Sequence, residues 1–240
     1  YRWHEPARVC FGHGWVRHDA GELFEQTVRL YRPLLPACSE ARADERDPPP
    51  LDELRLHQST VWLWNRPVYD DAAGGLLRVE MRALPAGPSD VDMVAGAALM
   101  LGLARGLRER MDRLVTALPF GHAEYNFYRA AQHGLGARLV WPSERQQGLR
   151  DAALAEILAG LRPTADEGLP HVGVSQAERD RYLGVIDARL AARRNPAAWQ
   201  RDCLRALMAR GTGKVPALGQ MLERYIDHST ANEPVAEWPL

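Results

Sequence analysis

The stretch "LLRVEMRALPAGPSD", residues 76–90, decides the fold prediction because it lines up charged side chains within an apolar run. In an extended strand, successive side chains point to opposite faces. One face then carries three charged residues: Arg78, Glu80 and Arg82. The other face, which we expect to be buried, carries three apolar residues: Leu77, Val79 and Met81. The proline-rich segment "LPAGP", residues 84–88, is a rigid exit from this strand.

A second strand is predicted just before this one. The segment "STVWLWNRPVY", residues 59–69, is rich in β-branched and aromatic residues, which favour strands. The segment "DDAAGG", residues 70–75, supplies a turn, so an antiparallel hairpin with a strand over 76–84 is the simplest connection. We expect this arrangement to bring four more polar side chains to the hairpin: His57, Thr60, Asn65 and Arg66.

The remainder of the sequence is typical of helices. Apolar spacing predicts a helix over 21–35, and Ser89 is a candidate N-cap, with Asp92 in the third position of a capping box. The helix that starts there is expected to reach about Thr116. Further helices are predicted near 121–133, 147–161, 175–193, 197–209 and 214–229.

These elements predict an α+β fold in a single domain over residues 1–240. Residues 1–88 would mix helix and sheet, with a flexible proline-rich loop near 39–50. Residues 89–240 would be helical. The fold class is therefore an antiparallel sheet element followed by a large helical C-terminal region.

Composition excludes several classes of partner. A net charge of −1 gives no global field that would draw the chain to nucleic acid or to an anionic membrane. No apolar run approaches the ~18 residues that span a bilayer. The three cysteines, Cys10, Cys38 and Cys203, are widely spaced and form no CxxC pair, which disfavours a disulfide framework or a zinc site. We therefore expect a cytoplasmic protein with no nucleic-acid or membrane partner.

A glutamate between arginines on a strand has two interpretations. The plain one is a solvated sheet surface. The chemical one is a site for phosphate and a metal ion, because a carboxylate is a hard oxygen ligand for Mg²⁺ and guanidinium groups neutralise phosphoryl oxygens. Phosphoryl-transfer sites stabilise charge in this way.

Two long blocks carry a resemblance to a known family. "LHQSTVWLWNRPVYD", residues 56–70, and "LLRVEMRALPAGPSDVDMVAGAALMLGL", residues 76–103, resemble the carboxylate–amine ligase branch of the glutamate–cysteine ligase family. Further matches occur in family order: "FGHGWV" at 11–16, "AEYNFYRAAQHGLGARLVW" at 123–141 and "RYIDHSTANEPVAEWP" at 224–239. The resemblance covers nearly the whole chain, but only the C-terminal part of a family member.

The resemblance implies a partial glutamine-synthetase-like catalytic fold, in which an antiparallel sheet holds ATP and Mg²⁺. It also implies that ATP activates the γ-carboxylate of glutamate as an acyl phosphate, which an amine, that of cysteine in the named activity, then attacks. Carried over to this sequence, Glu80 would be a Mg²⁺ ligand. The catalytic residues would be Arg66, Arg82 and His57, and the substrate- or nucleotide-binding residues would be Asn65, Arg78 and Thr60.

Several alternatives stay open at this stage. The sequence begins at Tyr1 and reads like the middle of a domain, so we expect an upstream portion that carries other acidic metal ligands and much of the nucleotide site. The chain would then be an inactive fragment by itself, or a non-catalytic helical interaction module. The acceptor amine is also open, as is homo-oligomerisation.

Overall fold

The computed structural model describes residues 5–35, 47–72, 74–143 and 148–240, and these residues form a mixed α+β structure. The α+β prediction is confirmed at this level. The chain divides into two units, Tyr1–Pro85 and Ala86–Leu240. The predicted single domain remains a prediction, and most of the loop predicted near 39–50 lies outside the described residues.

The first unit combines short strands with two helices. Its elements are β1 (Val9–Cys10), α1 (Gly21–Leu30), α2 (Asp52–Ser59), β2 (Trp62–Leu63), β3 (Asn65–Asp70) and β4 (Leu76–Met81). β1 pairs with β2 in parallel, and β3 pairs with β4 in the predicted antiparallel hairpin. A small core gathers Tyr31, Val61 and Leu63, so the apolar centre of this unit lies beside β2.

The predicted helix over 21–35 ends five residues early. Tyr31 already has extended dihedral angles, φ −122° and ψ 139°. Pro33 follows two residues later, and a proline disfavours helical dihedral angles in the residue before it. Tyr31 is buried in the core of the unit, which the extended backbone allows.

The prediction that His57 and Thr60 lie on the first hairpin strand is wrong. His57 belongs to α2, and Thr60 is the residue that ends this helix. The helix forms because Asp52 and Glu53 occupy its first turn, where carboxylates favour the helix dipole, and no β-branched residue occurs before Thr60. The strand is also interrupted at Trp64, so face alternation applies only from Asn65 onward.

The expectation that the apolar face of the hairpin is buried is also wrong. The side of β4 opposite Glu80 is largely open, with Leu77 52% exposed and Val79 57% exposed. The hairpin forms a sheet of only two strands, and no third strand pairs with it among the described residues. A two-stranded sheet covers little apolar surface by itself, so this face remains open.

The second unit is mainly helical and contains one further hairpin. Its elements are α3 (Asp90–Gly106), α4 (Met111–Ala117), α5 (Phe120–His133), β5 (Arg138–Pro142), β6 (Leu149–Ala153), α6 (Leu154–Gly168), α7 (Gln176–Ala192), α8 (Pro196–Ala209) and α9 (Lys214–Thr230). Ser89 is the N-cap of α3, since its hydroxyl accepts a hydrogen bond from the backbone N–H of Asp92. The helix predicted to reach Thr116 is interrupted by a 3₁₀ turn over Arg108–Arg110.

The β5–β6 hairpin corrects two predictions. The helix predicted over 147–161 begins only at Leu154, and the region 89–240 is not purely helical. The alanines and leucines of 149–154 mimic helical periodicity, but Leu139 and Ala152 stand opposite each other in the hairpin and are both buried. Tertiary burial therefore overrides local propensity here.

Glycines allow α3 and α6 to cross closely. A Cβ atom on Gly168 would lie 2.0 Å from the carbonyl oxygen of Gly102, and one on Gly106 would lie 2.1 Å from that of Thr164. Such contacts are far below van der Waals distance, so only glycine fits at these points. The crossing explains why an apolar helix such as α3 carries Gly102 and Gly106 in its C-terminal half.

The C-terminal segment is anchored to the start of α3 through Asp92. This carboxylate is fully buried, and its Oδ2 accepts hydrogen bonds from the Ser89 hydroxyl and the Val235 backbone N–H, each at 2.9 Å. Its Oδ1 lies 2.6 Å from Nη2 of Arg189 on α7. Beyond this anchor, Trp199 and Trp238 pack edge to face with ring centroids 5.0 Å apart.

Within the described ranges, no helix has the length and apolar character needed to cross a bilayer.

Candidate functional site

The hairpin brings one carboxylate and two guanidinium groups together. Arg66 on β3 stands directly opposite Glu80 on β4. Arg66 Nε donates a hydrogen bond to Glu80 Oε2 at 2.8 Å, and its Nη2 lies 2.7 Å from the same oxygen. Arg82 Nε lies 3.4 Å from that oxygen. We call these three residues the hairpin cluster; it joins the predicted metal ligand to both predicted catalytic arginines.

The charges of the hairpin cluster act on the protonation of Glu80. Partial burial would raise the pKa of Glu80, but the hydrogen bond from Arg66 and the positive charges of Arg66 and Arg82 outweigh it and hold the pKa below its usual value. The carboxylate is therefore ionised at neutral pH. With 41% of its side chain exposed, Glu80 is also accessible to a ligand.

A cavity of about 190 Å³ lies beside the hairpin cluster, between α2 and the face of β3 and β4 that carries Arg66. Three arginines line it, and each guanidinium contacts a carboxylate at 2.7–2.8 Å: Arg55 with Asp71, Arg66 with Glu80, and Arg78 with Asp70. The cavity thus presents several charge-assisted donors whose present partners are carboxylates. A phosphate or carboxylate ligand offers the same kind of acceptor.

His57 and Thr60 lie in a different group of contacts. Arg8 donates to the Thr60 hydroxyl at 3.0 Å, and this hydroxyl donates to the backbone carbonyl of His57 at 2.8 Å. Burial, followed by the charge of Arg8, lowers the pKa of His57. Its Nε2 is buried and has no hydrogen-bond partner within the described part of the chain. Neither residue lines the cavity beside the hairpin cluster.

The other two predicted binding residues are on the hairpin. Arg78 lines the cavity and shares its face of the sheet with Arg66 and Glu80. Asn65 precedes Arg66 on β3, so its side chain lies on the opposite face, where it is exposed. The structure therefore groups Arg66, Arg78, Glu80 and Arg82, and places Asn65, Thr60 and His57 elsewhere in the unit.

The carboxylate oxygens of Glu80 suit Mg²⁺, and Glu80 would be its single protein ligand. No group of three or more His, Cys, Asp or Glu side chains able to hold a metal gathers among the residues that the structure describes. Mg²⁺ commonly takes one or two protein carboxylates and completes its coordination with substrate phosphates and water. One accessible, ionised carboxylate beside two arginines is compatible with that pattern.

Sequence reasoning missed three residues of this region: Arg8, Arg55 and Asp70. Asp70 could have been found from register, because it stands next to the turn and diagonally across from Arg78. Arg55 depends on the packing of α2 against the hairpin. Arg8 reaches Thr60 over a separation of 52 residues, which no local pattern indicates.

Family models, curated proteins and solved structures were compared with the chain, and none of them matches it. The geometry of the hairpin cluster and its cavity is therefore the structural observation from which a function has to be inferred.

Proposed function

We propose that this chain is the C-terminal part of an ATP-dependent carboxylate–amine ligase of the glutamate–cysteine ligase type. The reaction would activate the γ-carboxylate of glutamate as an acyl phosphate, which cysteine or another amine then attacks. The observation that supports this proposal best is the hairpin cluster, in which one exposed, ionised carboxylate lies between two guanidinium groups. The finer fold assignment, a partial glutamine-synthetase-like catalytic fold, belongs to the same proposal.

The arginines of the hairpin would act on the phosphoryl group. Phosphoryl transfer spreads negative charge over the equatorial oxygens, and fixed guanidinium groups stabilise that charge without reorganising. In the structure, the carboxylate of Glu80 holds Arg66 and Arg82 at one point of the sheet. Arg66 and Arg82 are the proposed phosphoryl contacts, and Arg78 extends the same cationic face toward the substrate or nucleotide.

Glu80 is the proposed protein ligand for Mg²⁺. When bound beside Glu80, the ion would neutralise charge on the phosphates of ATP. Binding it would require Glu80 to share its carboxylate between the cation and the two arginines. The lowered pKa of Glu80 supports the role, because a metal ligand must be deprotonated.

His57, Thr60 and Asn65 lie outside the hairpin cluster and its cavity, so their place in the proposal rests on the family resemblance alone. The resemblance places His57 among the catalytic residues, and its lowered pKa favours the neutral imidazole that a proton acceptor needs. Thr60 and Asn65 enter as substrate- or nucleotide-binding residues. A cytoplasmic location is part of the proposal, and the free thiols Cys10 and Cys203 accord with a reducing compartment.

A second candidate is a non-catalytic interaction module or an inactive fragment of such a ligase. One observation favours it: α9 carries an exposed apolar row at helical spacing, formed by Val215, Leu218, Leu222 and Ile226. The open apolar face of the hairpin at Leu77 and Val79 points the same way. Both surfaces would be covered if another polypeptide packed against them.

Trapping the acyl phosphate tests the proposal. The chain, and separately the protein encoded by its full reading frame, would be incubated with ATP, Mg²⁺, glutamate and hydroxylamine. The hydroxylamine nitrogen attacks the acyl carbon and expels phosphate, which leaves a hydroxamate that forms a coloured complex when Fe³⁺ is added. We expect hydroxamate that requires both Mg²⁺ and glutamate. No hydroxamate from either folded protein would overturn the ligase and favour the interaction module.

A further inference from the structure

A larger cavity of about 470 Å³ lies in the second unit, remote in sequence from the hairpin cluster. The 3₁₀ turn at Arg108–Arg110, α4, the β5–β6 hairpin and α6 all contribute to its lining. Its volume falls within the range of sites that bind small molecules, which is roughly 300–1,000 Å³. The cavity is therefore large enough for a small organic molecule and open enough to admit one.

Charge in the wall of this cavity is unbalanced. Among the described residues of its lining, three are arginines, Arg110, Arg113 and Arg150, and one is a glutamate, Glu156. Arg150 and Glu156 contact each other at 2.8 Å, so they largely satisfy one another. The side chains of Arg110 and Arg113 make no ion pair or hydrogen bond with any residue that the structure describes, so both guanidinium charges are uncompensated within that part of the chain.

These two arginines are positioned to act together. Arg110 is the residue before α4, and Arg113 lies in its first turn. Residues three positions apart in a helical segment lie on the same side, and both arginines line the same cavity. Two guanidinium forks on one wall match the oxygen geometry of a carboxylate or a phosphate.

The rest of the lining is mainly apolar, apart from Ser143 and Thr164, and includes one aromatic ring. Trp141 on β5 is half-buried, and aliphatic residues of α4 and α6, including Leu114, Ile157 and Leu161, also line the cavity. Such a surface favours an apolar or aromatic body over a fully hydrated ion. Ordinary solvent anions would use the arginines but leave this surface unfilled.

We propose that this cavity binds a small amphipathic anion, with its carboxylate or phosphate group on Arg110 and Arg113 and its apolar or aromatic body against Trp141. The site is independent of the ligase chemistry proposed for the first unit. The uncompensated charge supplies attraction, and the apolar lining supplies selectivity against simple anions.

Calorimetric titration of the full chain at low ionic strength tests this site with four probes. Phenyl phosphate and phenylacetate carry both features, inorganic phosphate carries only the charge, and benzyl alcohol carries only the ring. We expect saturable binding of at least one aromatic anion, tighter than that of either single-feature probe. A preference between the two anions identifies the head group. Added salt should weaken the binding because the arginines are exposed.

Matched double variants separate the site from general charge effects. Arg110→Gln with Arg113→Gln should weaken binding of the preferred probe by roughly tenfold, as expected for two exposed charge-assisted contacts. Arg105→Gln with Arg108→Gln removes the same charge from adjoining residues that do not line the cavity and should leave binding unchanged. Thermal melts of both variants verify folding.

Three results would overturn the proposal. The first is that neither aromatic anion binds saturably. The second is an equal loss of affinity in the two double variants. The third is that inorganic phosphate binds as tightly as phenyl phosphate while phenylacetate binds no more tightly than inorganic phosphate. A further variant, Trp141→Leu, should reduce affinity for phenyl phosphate and leave the weak binding of inorganic phosphate unaltered. Equal affinity of Trp141→Leu and the unchanged protein for phenyl phosphate would also count against the site.

Discussion

Arg66 lies closer to Glu80 than Arg82 does: the shortest separation from Glu80 Oε2 is 2.7 Å for Arg66 and 3.4 Å for Arg82. Arg66 stands directly opposite Glu80 on the neighbouring strand, whereas Arg82 follows Glu80 by two residues in the sequence. Arg66 and Arg82 should therefore lower the pKa of the Glu80 carboxyl group by different amounts, and this difference can be measured.

Replacing Arg66 should raise the pKa of Glu80 more than replacing Arg82. The Arg66→Gln variant removes both a hydrogen bond to the ionised carboxylate and the nearer charge. Titration of the Glu80 side-chain carboxyl carbon by NMR measures the pKa in each variant. Equal pKa values in the two variants would contradict the geometry of the hairpin cluster.

The lowered pKa of Glu80 also predicts how the stability of the fold changes with pH. The folded-state pKa of Glu80 lies below the unfolded value, which is about 4.3. The resulting stabilisation is present above the unfolded pKa and is lost as the pH falls through the folded pKa. The loss on acidification should be smaller in Arg66→Gln, and small in both proteins because Glu80 is well exposed to solvent.

Alanine at Gly168 should destabilise the second unit strongly. A Cβ atom there would meet the backbone of α3 at 2.0 Å, which α6 can relieve only by moving away. We expect Gly168→Ala to lower the free energy of unfolding by at least about 2 kcal/mol, measured by urea denaturation. Gly184→Ala on α7 is the control, because a Cβ there meets nothing within 4 Å, and it should be neutral or stabilising by up to about 1 kcal/mol.

Removing the Asp92 carboxylate should release the C-terminal segment from α3. Asp92→Ala leaves Arg189 without its buried partner and Val235 without its acceptor, a loss that we expect to cost about 3–5 kcal/mol. Hydrogen exchange at the Val235 amide reports the release directly. Asp90→Asn, an exposed change in the same first turn, should cost less than about 1 kcal/mol and leave that amide protected. Retained protection of Val235 in Asp92→Ala would contradict the anchoring role.

His57 should remain uncharged at a pH where a free imidazole is half protonated. Burial, and then the charge of Arg8, lowers its pKa from the ordinary value of 6.5. Because the unfolded state binds a proton more readily, stability associated with His57 is complete above pH 6.5 and falls as the pH drops below it. NMR titration of the imidazole carbons, with His57→Gln to assign the resonance, measures the pKa. A value at or above 6.5 would contradict the buried setting.

Local chemistry accounts for the parts of the fold that were predicted. The strand register of the hairpin follows from the alternation of residues 76–81, and the start of α3 follows from the Ser89 cap. The helices of residues 175–230 are marked by the caps at Ser175 and Asn195. The β5–β6 hairpin was missed because its stability depends on burying Ala152 against Leu139, which is a tertiary contact.

Local sequence rules also predict part of the candidate site. Cross-strand pairing places Arg66 opposite Glu80, and alternation places Arg78 on the same face, so both relations can be read from the hairpin. His57 was misplaced because the signal for α2 lies in its acidic first turn, which competes with the strand pattern that follows. Arg55 and Arg8 join their clusters through packing between distant segments, which no spacing rule reveals.

The central claim is tested most directly by Mg²⁺-dependent release of ADP in the presence of glutamate, with and without cysteine. It should be measured for this chain and for the protein encoded by the full reading frame, each with Glu80→Gln and with Glu25→Gln as an exposed control on α1. We predict ADP release that cysteine or another amine stimulates, that Glu80→Gln abolishes in a folded protein, and that Glu25→Gln leaves unchanged. No ADP release from either folded protein, or full activity in Glu80→Gln, would contradict the account.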